Sequence, residues 1–159
     1  MRAVVQRVRD ARVEVRDKIV GSIGSGLLVY LAIRRGDAES TVEYVSQKIL
    51  GLRIFPDSAG KMSRSLLDLR ADCRLSNEQR PGILVVSQFT LYGDVRKGRR
   101  PSYNDAAPPG DAERLYEAFL TSLANSNVPP QAGLFQEHMD VICINDGPVT
   151  ILIDSERHQ

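Results

Sequence analysis

Apolar residues along this chain fall into short β-branched runs, long uninterrupted runs and stretches of helical spacing, and each kind predicts a different element. Ala3 to Val8 and Ala11 to Val15 are strand-like runs separated by the charged pair Arg9-Asp10, which predicts a hairpin. Gly26 to Ile33 is apolar without a break, the mark of a strand buried on both faces. From Ser40 onward Val42, Val45, Ile49 and Leu52 recur at helical spacing behind a Ser/Thr cap, with Gly51 at the fraying end. Leu52 to Phe55 turns extended before Pro56, and Asp57 to Lys61 reads as a turn. The polar, uneven segment from there to Gly82 predicts a long surface loop.

Ile83 to Val86 restarts a buried strand that runs into Ser87-Gln88-Phe89-Thr90-Leu91. Beyond the break at Pro108-Pro109-Gly110, the stretch Asp111 to Ser126 puts Leu115, Phe119 and Leu123 on one face and predicts a second helix. Met139 to Ile144 and Val149 to Ile153 then read as two closing strands on either side of Asn145-Asp146-Gly147-Pro148. Strands outnumber helices and neighbours can pair antiparallel. The expected class is therefore α+β, with mostly antiparallel sheets forming a partly closed β/β layer covered by two helices. No repeat or linker divides the chain, so residues 1–159 are read as a single domain.

Composition narrows the chemistry. At 159 residues and 42% hydrophobic content the chain can bury an ordinary core. Lys plus Arg number 21 against 20 Asp plus Glu, a net charge of +1, so a general polyanion-binding surface is excluded and any nucleic-acid contact must be local. No apolar stretch approaches the ~20 residues of a membrane span, and two arginines within the first seven residues do not suit a signal peptide; the expected compartment is the cytoplasm. Cys73 and Cys143 lack the spacing of a zinc site or a disulfide framework.

Several tempting motifs carry little. Gly21-Ser22-Ile23-Gly24-Ser25-Gly26 resembles a phosphate loop but precedes a strand and lacks the Lys-Ser/Thr step, so a glycine-rich hairpin turn is expected. Of the two histidines, His158 lies beside a terminus, which leaves His138 for any histidine-based chemistry. Strand alternation would turn Glu137 away from His138 and Asp140, so no metal site is expected there. Arg96-Lys97-Gly98-Arg99-Arg100-Pro101 fits a solvated loop or a phosphate grip equally well. Arg7, placed among Val4, Val5 and Val8, needs a partner: it forms a structural ion pair or holds a backbone loop in place.

Five segments in order, Gln6-Arg7-Val8, Gly21 to Gly26, Ser87 to Leu91, Lys97 to Ser102 and Asn145-Asp146-Gly147-Pro148-Val149-Thr150, resemble the D-aminoacyl-tRNA deacylases from Met1 to about Asp154. The resemblance implies a cytoplasmic homodimer that hydrolyses the ester between a D-amino acid, or glycine, and the 3′ end of tRNA, without metal or cofactor. It implies that Ser87, Gln88 and Thr90 carry the catalytic step. It implies too that Gly147 and Pro148, joined by a cis bond, reach into the partner subunit's site and judge the Cα, with Arg7 beside them. Phe89, Phe135 and Met139 would hold the terminal adenosine, and Lys97, Arg99 and Arg100 the tRNA. Phe135 and Met139 fit core packing equally well.

Two mechanisms stay open. Thr90 could be a nucleophile, though no base stands near it in sequence; alternatively the ribose hydroxyl beside the ester assists water, with backbone N–H groups around Gln88 to Thr90 as an oxyanion hole. Two rival functions stand beside the main one: a deacylase of L-alanyl mischarged tRNA, and a non-catalytic tRNA-binding module. The chain departs from the family pattern in the longer Arg64 to Pro81 segment and in Ala132-Gly133-Leu134-Phe135-Gln136-Glu137.

Overall fold

In the computed structural model, which describes residues 1–77 and 79–156, β1 (Arg2–Val15) runs unbroken through the middle of the sheet. The hairpin expected at Arg9-Asp10 is absent. Both residues stay in the strand with their side chains exposed, at a shift of register against the neighbouring strand, so their charges meet water. The chain reverses instead at Arg16 and Asp17, whose φ values of 50° and 61° give the left-handed twist that a tight hairpin turn needs. The returning arm is β2 (Lys18–Ile23), paired with the second half of β1, followed by β3 (Gly26–Ala32), paired with its first half. Gly21 to Gly26, expected as a hairpin turn, is thus the end of β2 and a bend in that arm.

Helix α1 (Glu39–Leu50) follows, ending at Gly51 as the spacing predicts. Its cap is Ala38 rather than Ser40, and Thr41 Oγ1 accepts the Ala38 N–H at 3.5 Å. The segment expected as a featureless loop is built. β4 (Phe55–Pro56) and β5 (Met62–Arg64) form a small hairpin around Asp57, whose carboxylate accepts the N–H groups of Ala59 and Lys61. Helix α2 (Leu66–Arg70) then starts from a reciprocal cap: Ser65 Oγ accepts the Asp68 N–H at 3.1 Å, and Asp68 Oδ2 accepts the Ser65 N–H at 2.8 Å. The described residues therefore hold three α-helices where two were expected.

After this crossover β6 (Gly82–Ser87) pairs parallel with β3, not antiparallel. A Cβ on Gly26 would lie 2.1 Å from the Gly82 carbonyl oxygen, so the two backbones meet at a point only glycine permits. A 3₁₀ turn (Phe89–Tyr92), α3 (Pro109–Asn125) and the short β7 (Gln131–Ala132), parallel to β6, complete that side. The closing element is one strand, β8 (Asp140–Asp154), antiparallel to both halves of β1; the two closing strands expected are its halves.

Alternation along β3 and β6 explains their uninterrupted apolar runs. Leu27, Val29, Ile83 and Val85 face a core built with Val45 and Ile49 of α1 and Leu115 and Phe119 of α3. Leu28, Leu84 and Val86 face a second core, where β2, the second half of β1 and the start of β8 fold over the other side. The sheet is consequently nearly closed, and Cys143 packs in that second core as a small hydrophobe. No helix among the described residues is long and apolar enough to cross a membrane.

Candidate active site

A cleft of about 910 Å³ opens where the two cores meet, at the carboxyl ends of β3 and β6. Leu31 and Ser87, partners in register on the two parallel strands, both line it, and the start of α3 supplies one wall through Ala112 and Tyr116. The Tyr116 hydroxyl donates to the Val85 carbonyl at 2.9 Å; burial raises the pKa of this phenol, which therefore stays protonated as a strut. Sequence reasoning missed Tyr116, Tyr103 and Arg35, all lining residues, because each sits outside any motif.

Ser87, Gln88 and Phe89 all line the cleft. β6 ends there because the chain tightens into the 3₁₀ turn, and the Gln88 N–H is already taken by the Leu31 carbonyl at 2.8 Å. The first residues of a helical turn have no intrahelical acceptor, so Phe89 and Thr90 present the N–H groups that the turn itself leaves unused. Phe89 is 58% exposed and meets Tyr103 edge to face, ring centroids 5.0 Å apart. Thr90 is exposed and does not line the cleft; its hydroxyl is bonded to the Gln88 side-chain amide, which is no base.

Phe135 and Met139 also line the cleft, each half-buried against a different core. Phe135 leans on Tyr116 with centroids 5.9 Å apart, so pocket and packing roles coincide. Gly133 makes room for Met139, whose sulfur would lie 2.5 Å from an added Cβ. Residues 134–138 lie outside any strand, so the alternation argument against a metal does not apply as stated; Glu137 instead pairs with Arg16 at 3.0 Å, while His138 and Asp140 stand 3.9 Å apart.

Gly147 and Pro148 lie elsewhere. β8 leaves register with β1 between Thr150, opposite Gln6, and Asn145, opposite Val8, so residues 146–149 bulge out against Arg7 alone. The Gly147-Pro148 bond is cis, Gly147 has φ 118°, and both residues are exposed. Arg7 does both of the things left open, to two different segments: Nε lies 2.7 Å from Asp146 Oδ2 of the bulge, and Nη1 donates at 2.5 Å to the carbonyl of Ile54, in the segment between α1 and β4. Asn145 Nδ2 closes the neck, donating to the carbonyls of Arg7 (2.9 Å) and Val149 (3.0 Å). β1 and β3 separate this bulge from β6, and neither Gly147, Pro148 nor Arg7 lines the cleft of its own chain.

The sequence pattern described as D-Tyr-tRNA(Tyr) deacylase matches residues 4–154. The chain belongs to the D-Tyr-tRNA(Tyr) deacylase family. Proteins named D-aminoacyl-tRNA deacylase from Thermosipho africanus and Thermosipho melanesiensis are 50% and 51% identical to it, each alignment covering 99% of both chains. A solved structure titled c-Myc DNA Unwinding Element Binding Protein is 39% identical, with a TM-score of 0.86 over 97% of this chain and 98% of that one. A second, described as a probable eukaryotic D-amino acid tRNA deacylase, shares the fold at TM-score 0.80 over 96% and 97% of the two chains, with 19% identity.

Two further features lie outside the cleft of this deacylase-family chain. Lys97, Arg99 and Arg100 are exposed on a loop outside the cleft lining, while Arg96 is committed to Asp94 at 2.8 Å. Arg2 braces the 3₁₀ turn from behind. Its Nη1 donates to the Leu91 carbonyl at 3.0 Å, its Nε pairs with buried Asp154 at 2.9 Å, and its guanidinium lies 4.5 Å from the Tyr92 ring centroid. His158 lies outside the described residues.

Proposed function

We propose that this protein hydrolyses the ester joining a D-amino acid, or glycine, to the 3′ end of tRNA and spares L-aminoacyl esters, so recycling mischarged tRNA in the cytoplasm. The observation that carries the reading is the Ser87 to Thr90 turn, which projects backbone donors beside an apolar cleft in a chain with the deacylase pattern along nearly its whole length. Ester hydrolysis puts negative charge on the carbonyl oxygen, and the fixed N–H of Phe89, which lines the cleft, suits that charge, with the Thr90 N–H next along the turn. The Gln88 N–H does not take part, being bonded to Leu31. Water attacks the ester carbon, and the neighbouring ribose 2′-hydroxyl helps the 3′ oxygen leave. Phe89, Phe135 and Met139 hold the terminal adenosine, and Lys97, Arg99 and Arg100 meet the tRNA backbone.

Chirality is judged by exclusion. An enzyme that accepts many side chains must read the other Cα substituents, and the backbone of Gly147 and Pro148 does so by leaving room for hydrogen but not for an L side chain. Their separation from the cleft of their own chain, and their exposure on a strand with no partner on its outer edge among the described residues, support delivery to the cleft of a second copy in a homodimer.

Deacylation of matched D-tyrosyl-, L-tyrosyl-, D-alanyl-, L-alanyl- and glycyl-tRNA tests the reading. Cleavage of the D and glycyl esters alone is expected. Untouched glycyl-tRNA beside cleaved D-tyrosyl-tRNA would refute the steric filter, and preference for L-alanyl over D-alanyl ester would point to the L-alanyl deacylase activity. Thr90→Ala is expected to retain most activity, because its hydroxyl has no base beside it; near-total loss with a trapped acyl-enzyme would establish a covalent route. The solved relative named for binding a DNA element favours a second reading, a non-catalytic nucleic-acid-binding module gripping through the basic loop. That module would bind tRNA without turnover.

A further inference from the structure

Arg35 is the one arginine or lysine among the described residues that line the cleft. Its neighbours in charge are neutralised: Arg34 pairs with Glu156, Arg2 with Asp154 and Arg16 with Glu137. Among the described residues, no carboxylate lies within ion-pair reach of Arg35. Its backbone N–H is pinned to the Asp105 carbonyl at 2.9 Å, and its Nε leans on the Asn104 carbonyl at 3.4 Å, so an exposed guanidinium lies along the wall that carries Tyr103. The acidic residue in the lining, Glu137, is itself held by Arg16 and does not cancel that charge. The cleft is also large. Its volume of about 910 Å³ is near the upper end of the ~300–1,000 Å³ typical of sites that enclose one small molecule.

An aminoacylated nucleoside at the end of an RNA leaves its pocket in one direction, and the first group on the way out is the phosphodiester on its 5′ side. We propose that the rim of the cleft is a charged subsite in which Arg35 grips that phosphodiester, the link between the last two nucleotides of the tRNA. The proposal rests on the reading of the cleft as the aminoacyl-ester site. It separates two electrostatic tasks: Arg35 fixes the terminal linkage and so the register of the ester over Phe89 and Thr90, whereas Lys97, Arg99 and Arg100 act on more distant phosphates.

The test compares wild type, Arg35→Ala and Arg35→Lys on three D-tyrosyl esters: of tRNA, of the dinucleotide cytidylyl-adenosine, and of adenosine, which lacks the phosphodiester. Arg35→Ala should raise KM about fivefold to tenfold for the first two and leave the adenosine ester unchanged, with partial recovery in Arg35→Lys. Inhibition constants for free cytidylyl-adenosine and adenosine, measured against adenosine-ester hydrolysis, should show the same selective loss. An unchanged KM on the dinucleotide ester, or an equal loss on the adenosine ester, overturns the subsite while leaving the deacylase reading intact. A wild-type protein that cleaves none of the three esters overturns the reading on which the subsite rests.

Discussion

Truncating Arg7 isolates the support of the Gly147-Pro148 bulge from the chemistry of the cleft. Arg7 is 11% exposed, and its Nη1 is the donor to the carbonyl of buried Ile54. In Arg7→Ala that carbonyl loses its charged partner, at a cost of about 1–3 kcal/mol. The pair with Asp146, which is 39% exposed, adds no more than ~1 kcal/mol in solvent. The total of about 1–4 kcal/mol corresponds to a melting temperature lower by roughly 2–16 °C for a chain of this size. Untethered, the segment from Asp146 to Val149 loses its fixed position opposite β1, so the ratio of D- to L-tyrosyl-tRNA cleavage should fall at least tenfold while D-ester turnover changes only a few-fold. Calorimetry and paired deacylation assays read the two effects. Arg7→Met, which keeps the apolar stem without the donors, should reproduce the loss of discrimination with a smaller loss of stability. Unchanged discrimination in Arg7→Ala would refute the argument.

Three other perturbations follow from the same geometry. Gly147→Ala should be strongly impaired in solution, because φ 118° is foreign to alanine and the new Cβ would lie 2.8 Å from Val149 Cγ2; a crystal structure with the bulge unmoved would contradict this. Arg2→Ala removes the brace behind the 3₁₀ turn and should lower kcat about tenfold or more with little change in KM, partly restored in Arg2→Lys; equal kcat would show that the turn holds itself. Asp94 is held at about 2 by the Arg96 side chain, with further help from the Arg96 backbone N–H. A depressed carboxylate contributes in full above its unfolded value near ~4 and loses the contribution as pH falls through about 2, so the basic loop should stay anchored at pH 5. An NMR midpoint near ~4 for the Asp94 carboxyl would refute the anchor.

What the sequence made legible followed from whether a local pattern survived tertiary pairing. Leu27 to Leu31, Val42 to Ile49 and Leu115 to Leu123 read correctly because their periodicity reports burial directly. Arg9-Asp10 misled because charges interrupt an apolar pattern without interrupting a strand whose side chains there reach water. Asn145 to Pro148 misled for the opposite reason: breakers that end a strand in isolation are absorbed as a bulge when Asn145 ties its neck and Arg7 fills the gap. In the site, Ser87, Gln88, Phe89, Phe135 and Met139 converge on one cleft, while Thr90 and Gly147-Pro148 do not. Arg35, Tyr103 and Tyr116 reach it from unremarkable sequence, because a wall of that kind is set by the path of the chain between Ile33 and α3.

The pairing of β1 with β8 has a consequence during synthesis. Arg2 opposes Asp154 and Glu14 opposes Asp140, so β1 finds one of its lasting neighbours only in β8, made after all the other described elements. Until then Val5, Val8 and Val13 have one flank open, with β2 and β3 already in place on the other. The nascent chain must therefore keep an apolar sheet edge from pairing with other chains until β8 is made, at ~5–20 residues per second. Early on this protein should depend on holding chaperones, and its cooperative folding should be completed only once β8 has emerged, the same strand that carries Gly147 and Pro148.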